Sequence, residues 1–244
     1  MNYDLSYHDM NDHFTNNGGL TIHSIHIPVE VSTSAPFIGN VLQRAPLVIL
    51  PGMCEDAEQY ARLFGRGAVR DCIFVNIRGR GQSTAPINGY DFDAQLSDVE
   101  AVIDGYSLER CILIGFSIGA SFALGYARRH PDRVAGLVLY DYPPHYPLFP
   151  DTWVTETLAS HPGMPEHVIR QLAAESERTL LDPRDITCPA LVIRATDGAL
   201  PENLEHLYTG RMRCCTLAVL QSGHELTDAG SFLSILHSWL HLVD

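Results

Sequence analysis

Hydrophobic positions along this chain gather into short runs separated by longer mixed stretches. Residues 25–31 (Ile-His-Ile-Pro-Val-Glu-Val) alternate with period two, the pattern of a half-exposed strand, and Pro28 within them points to a sheet edge. Six later runs do not alternate: 47–50, 72–75, 111–114, 137–140, 190–193 and 216–220. Strands buried on both faces look like this, and they belong to parallel sheets sheathed by helices. Most gaps between the runs are long enough for the crossover helix that parallel neighbours require. Residues 94–106 place Leu96, Val99, Val102 and Ile103 at helical spacing. Residues 117–129 are small and apolar until Pro131 stops them, and 231–242 set Phe232, Leu233, Leu236, Trp239 and Leu240 on one face.

The rhythm breaks once. Residues 142–187 hold no strand-like run, but a turn rich in proline and tyrosine (142–147) and two short helical patterns, 152–160 and 165–178. That exceeds what one crossover needs, and it predicts a lid inserted over the carboxyl ends of the strands. The expected organisation is a polar N-terminal segment (1–19), an α/β core made of 20–141 and 188–244, and a helical lid insertion (142–187).

Composition narrows the class. The 244 residues suit one sizeable domain, and 45% hydrophobic with 18% charged residues is ordinary for a globular chain. A net charge of −13 argues against nucleic acid as a partner. The six cysteines are scattered without a C-x-x-C pair, the pattern of free thiols in a reducing compartment rather than of disulfides or zinc. The first 19 residues lack the basic start and apolar run of a signal peptide, and no 18 apolar residues are consecutive. A cytoplasmic chain with no membrane span is the expectation.

Gly115-Phe116-Ser117-Ile118-Gly119 follows a buried run directly and precedes a helical segment. A serine between glycines at a strand-to-helix junction stands exposed on a tight turn, with a helix N-terminus behind it that favours negative charge. A hydroxyl is a weak nucleophile at neutral pH and needs a base. Among twelve histidines, His224 in Ser222-Gly223-His224 lies just past the final run, at the edge where Ser117 sits. The base needs a carboxylate to orient it. Asp197, after the run 190–193, is the assignment; Asp141, ending the run before it, competes, and Glu225 and Asp228 are lesser candidates. Two amides would hold an oxyanion, those of Ile118 and of Met53 in Pro51-Gly52-Met53-Cys54.

Four elements in this order resemble the single-domain α/β-hydrolase superfamily, especially its small esterase, enol-lactonase and proline-iminopeptidase-like members. They are Leu50-Pro51-Gly52-Met53, Ile77-Arg78-Gly79-Arg80-Gly81-Gln82-Ser83, the Ser117 pentapeptide, and the Asp197 and His224 loops, and the match spans about 22–242. The resemblance implies the α/β-hydrolase fold: a mostly parallel eight-stranded sheet with helices on both faces, a small helical lid after the sixth strand, and no cofactor or metal. It also implies that the Arg78/Arg80 turn buttresses the nucleophile loop, a substrate-carboxylate contact being the alternative. Two positions depart from the family pattern. Pro51-Gly52 stands where His-Gly is usual, so the hydrogen bonds of that histidine must be replaced, and Asn76 stands where Asp is usual.

The function expected is that of a serine hydrolase, carboxylesterase- or thioesterase-like, cleaving an ester, thioester, lactone or small amide through an acyl-enzyme. Tyr142, Phe149 and Trp153 would wall a site for a small, partly apolar substrate, with a carrier-protein-bound acyl group as a further candidate. Non-hydrolytic use of the same triad (C–C cleavage, elimination or acyl transfer) and a ligand-binding protein without turnover are the rival readings.

Overall fold

A computed structural model describes residues 10–29, 44–64 and 68–243. Its described course opens with a hairpin. β1 (Asn11–Asn17) turns through Gly18 and Gly19, with φ of 59° and 92°, into β2 (Leu20–Ile27). Two consecutive positive φ values fit the tight turn whose twist matches paired strands. The polar segment set apart at 1–19 therefore contributes a strand, and β1 rather than β2 forms this edge of the sheet. Pro28 lies just past the end of β2, while Glu30 and Val31 fall outside the described residues.

Strands and helices then alternate: β3 (Leu47–Leu50), α1 (Ala57–Phe64), β4 (Cys72–Val75), α2 (Phe92–Gly105), β5 (Cys111–Phe116), α3 (Gly119–Arg129) and β6 (Val134–Tyr140). The insertion follows, with β7 (His145–Tyr146), α4 (Asp151–Ser160), α5 (Glu166–Ala174) and β8 (Thr179–Leu180), and β7 pairs with β8 as a separate two-stranded ladder. β9 (Ala190–Asp197), α6 (His206–Thr209), β10 (Cys215–Gly223) and α7 (Ala229–Val243) complete the fold. The main sheet has eight strands in the order β1-β2-β4-β3-β5-β6-β9-β10, parallel from β4 to β10.

Five of the six non-alternating runs are buried on both faces, and their side chains divide with period two, whereas 216–220 lies in the edge strand β10, where only Leu220 is buried. Val48, Leu50, Leu113 and Val192 enter the core shared with Leu96 and Val99 of α2 and Phe122 and Leu124 of α3. Leu47, Ile49, Ile112, Ile114 and Ile193 enter the opposite core, with Tyr60 and Phe64 of α1 and Phe232, Leu236 and Trp239 of α7. α2 starts where Asp91 accepts the Ala94 amide at 2.8 Å, a capping bond for one of the otherwise unpaired first-turn donors. Six parallel strands point their carboxyl ends at one rim, and the loops leaving β3, β5, β6, β9 and β10 meet there.

Candidate active site

Ser117 occupies the sharp turn between β5 and α3 at φ 50°, a left-handed backbone that costs a non-glycine residue about 1–3 kcal/mol. The flanking glycines make the turn possible. A β-carbon on Gly115 would overlap the backbone of Gly119 and Ala120, and one on Gly119 would overlap the carbonyl oxygens of Leu50 and Pro51. The end of β3 is thus pressed directly against the start of α3. The Ser117 amide donates to the Tyr140 carbonyl at 3.1 Å, which ties the turn to the neighbouring strand.

His224, 107 residues further on, places Nε2 2.8 Å from Ser117 Oγ. Its Nδ1 lies 2.7 Å from Oδ2 of Asp141, which is fully buried. Because Nδ1 donates to the carboxylate, Nε2 is left as the acceptor for the serine proton. The Tyr140 hydroxyl donates to the Gly223 carbonyl at 3.2 Å and Thr196 Oγ1 to the Ser222 carbonyl at 3.2 Å, so the histidine loop is moored at two points.

The carboxylate at His224 is therefore Asp141 and not Asp197. β9 runs four residues beyond its apolar stretch, so Asp197 is still in the strand, opposite Gly223, with its side chain exposed. The chain on both sides of it folds over Asp141 instead. The amides of Ala195 (3.0 Å), Ala199 (2.7 Å) and Leu200 (3.3 Å) all donate to the Asp141 carboxylate. Gly198 leaves room for this, since a β-carbon there would overlap the carboxyl group. Asp141 itself sits at φ 51°, a second strained backbone at the same rim. Burying a carboxylate is costly unless its lone pairs are filled, and here three amides and an imidazole fill them.

Among the described residues the amides of Met53 and Ile118 donate to no other group, and a β-carbon added at Gly52 would come into contact with Ser117 Cβ. The Gly52 amide donates to Glu55 Oε2 at 2.7 Å, and the Tyr60 hydroxyl donates to the same oxygen at 2.6 Å. Glu55 thus ties the Pro51-Gly52 loop to α1, and sequence reasoning missed it. Asn76 is buried; its side-chain oxygen accepts the Ala57 amide at 2.7 Å at the start of α1, and its amide nitrogen reaches Glu58 at 3.0 Å and His23 Nδ1 at 2.8 Å. Arg78 forms a buried two-point pair with Asp98 (2.8 Å at each contact), a structural role. Burial pushes the Cys54 thiol up to about 11, which keeps it protonated and a poor nucleophile at neutral pH.

The insertion packs onto this loop. Met53 contacts a cluster of Tyr90, Val168 and Leu172 to which Trp153 and Met164 also belong, and Ser121 of α3 donates to the His145 carbonyl at 2.7 Å. Phe149 and Trp153 have ring centroids 4.3 Å apart, and the backbone carbonyl of Tyr142 accepts from Tyr208 at 2.7 Å. A polar cavity of about 430 Å³ opens between Cys54–Gln59, the Arg80 turn and residues 161–165. Among the described residues no cluster of three or more metal-ligating side chains occurs, and no helix is long and apolar enough to cross a membrane.

A strand–turn–helix serine joined to a histidine on the last strand's loop defines a class of protein, and comparison agrees with it. The family model described as alpha/beta hydrolase fold matches residues 45–182, and the chain belongs to that family. Over 96 residues it is 50% identical to an AB hydrolase superfamily protein, YisY, of Bacillus subtilis, a match covering 38% of this chain and 36% of that protein. The first curated relatives are thus matched over little more than a third of their length or less. An esterase from Exiguobacterium antarcticum superposes with a TM-score of 0.78 at 22% identity, covering 93% of this chain and 98% of that one. The enol-lactonase from Burkholderia xenovorans LB400 does so with 0.75 at 17% identity, covering 93% and 99%. At these identities the two structures show the fold alone.

Proposed function

We propose that the protein is a serine hydrolase acting on an ester, thioester, lactone or small amide through an acyl-enzyme, with Ser117 as nucleophile, His224 as base and Asp141 as the group that orients the base. One observation carries this reading: His224 bridges the hydroxyl and the carboxylate at 2.8 and 2.7 Å. In that geometry His224 removes the Ser117 proton as Oγ attacks the carbonyl carbon, and Asp141 stabilises the imidazolium that forms. The free amides of Met53 and Ile118 hold the tetrahedral oxygen. His224 then returns the proton to the leaving group, and a water deprotonated by the same imidazole releases the acyl group. Proteins described as an esterase and an enol-lactonase share this fold, in line with an ester or lactone as substrate.

The insertion 142–187 is read as a lid over this rim, with Tyr142, Phe149 and Trp153 as an apolar wall. Their half-buried state and the packing of Trp153 and Met53 against one cluster of Tyr90, Val168 and Leu172 support that role. A panel of p-nitrophenyl esters from acetate to octanoate, with a thioester and a γ-lactone added, tests the reading. Release of product is expected from short-chain members, and Ser117→Ala should abolish it. If folded protein turns over no member of the panel, the hydrolase reading fails.

A further inference from the structure

Arg80 is the one arginine of the glycine-rich turn that pairs with no carboxylate: 7% exposed, it has none within ion-pair distance among the described residues. Its acceptors are all neutral. Nε donates to the Met53 carbonyl at 3.0 Å, Nη1 to the Arg78 carbonyl and Gln95 Oε1 at 2.8 Å each, and Nη2 to Met53 Sδ at 2.8 Å. Burial lowers its hold on its proton below the ordinary arginine value. A buried cation with no carboxylate in direct contact is expensive, Asp98 acting on it only from beyond ion-pair distance, and a neutral side chain could fill the same space.

Two of these four bonds fall on one residue, Met53. On the other side of the same loop, Glu55 takes the Gly52 amide, and its own amide donates to the Gly52 carbonyl at 3.4 Å. The peptide whose N–H belongs to Met53 is therefore held at its oxygen, and its neighbours on both sides are tied to charged side chains. Arg80 also borders a water-sized void of about 10 Å³ together with Gly52, Glu55 and Ile118, residues of the two turns from which the free amides come.

We propose that Arg80, with Glu55 opposite it, is a positioning residue that fixes the Met53 amide toward the reacting oxygen and supplies the buried positive charge that a developing oxyanion lacks. The proposal rests on the hydrolase reading above. It differs from a substrate-carboxylate contact, because four of the five N–H donors of Arg80 are already taken by the chain itself. An oxyanion is a transition-state charge, so losing Arg80 acts on kcat and leaves KM nearly as it was.

The test uses an ester that the wild-type enzyme hydrolyses, with kcat and KM measured for Arg80→Met and Arg80→Lys. Inhibition by a trifluoromethyl ketone, which forms an oxyanion on Ser117, is compared with inhibition by the matching unreactive alcohol. Arg80→Met is expected to lower kcat by about 10²-fold, the scale of losing one oxyanion donor, and to weaken the ketone in parallel while leaving the alcohol unchanged. Arg80→Lys, which keeps the charge but not the fork, should fall between, and it carries the test if Arg80→Met does not fold. Wild-type kcat in the variants, or a loss confined to KM and to alcohol binding, overturns the proposal. Should wild-type protein hydrolyse no ester at all, the hydrolase reading falls and takes this inference with it. Turnover by the wild type with equal turnover by the variants overturns this inference alone.

Discussion

Replacing Asp141 by Asn is expected to lower kcat/KM by about 10⁴-fold, the scale seen when the carboxylate behind a catalytic histidine is removed. The asparagine keeps the shape but must choose which face to present. Its oxygen can accept from Ala195, Ala199 or Leu200, but its NH₂ then faces either one of those amides or Nδ1 of His224. In the second case His224 must accept at Nδ1 and carry its proton on Nε2, where it is useless as a base toward Ser117. Asp197→Asn should leave kcat/KM within about twofold of wild type, because that side chain is exposed and makes only a 3.5 Å contact with Thr196 Oγ1. Steady-state kinetics on the two variants side by side distinguish the carboxylates, and a crippled Asp197→Asn enzyme with a healthy Asp141→Asn one would reverse the assignment.

Gly119→Ala is expected to damage the protein more than any other single methyl group at the rim. The added carbon would overlap the Leu50 and Pro51 carbonyl oxygens, which are backbone atoms at the end of a central strand and cannot swing aside. Either α3 lifts from the sheet or the β3 loop moves outward. Overpacking of this kind costs about 3 kcal/mol or more, which urea unfolding would register as a lower midpoint at unchanged slope. Activity should fall further than stability, because both displacements separate the Met53 loop from Ser117, and a misplacement of about 1 Å can cost about 10²-fold. A variant with wild-type stability and turnover would mean that the contact between these two turns is looser than the structure shows.

Much of the fold was legible because burial on both faces writes itself into sequence. The runs at 47–50, 72–75, 111–114, 137–140 and 190–193 are all strands. The first hairpin was not legible: Asn11–Asn17 is polar and exposed on one face, so no hydrophobic period marks it, although Asn-Asn-Gly-Gly between 16 and 19 was a usable turn signal. α1 was also passed over, being only eight residues long.

At the rim, the serine and the histidine could be placed because each directly follows a strand. The choice between two aspartates could not be made that way, since both follow apolar runs, although only Asp141 follows its strand and Asp197 is the last residue of β9. It is decided by how far β9 runs past its apolar stretch and by where the chain after it turns back, neither of which periodicity records. What Asp141 did show was its position immediately after Tyr140, the last residue of a run beside the strand that carries Ser117. Glu55 was invisible for a different reason. Its role depends on a three-residue turn that brings its carboxylate back to the Gly52 amide.

Hydrolysis by the proposed route requires that His224 make the Ser117 hydroxyl reactive. Intact-mass spectrometry after exposure to a fluorophosphonate tests this directly. One adduct per chain is expected, mapped by peptide sequencing to Ser117, lost in Ser117→Ala and strongly slowed in His224→Ala. Wild-type protein that takes up no adduct, or a Ser117→Ala variant that is labelled as readily as wild type, would contradict it.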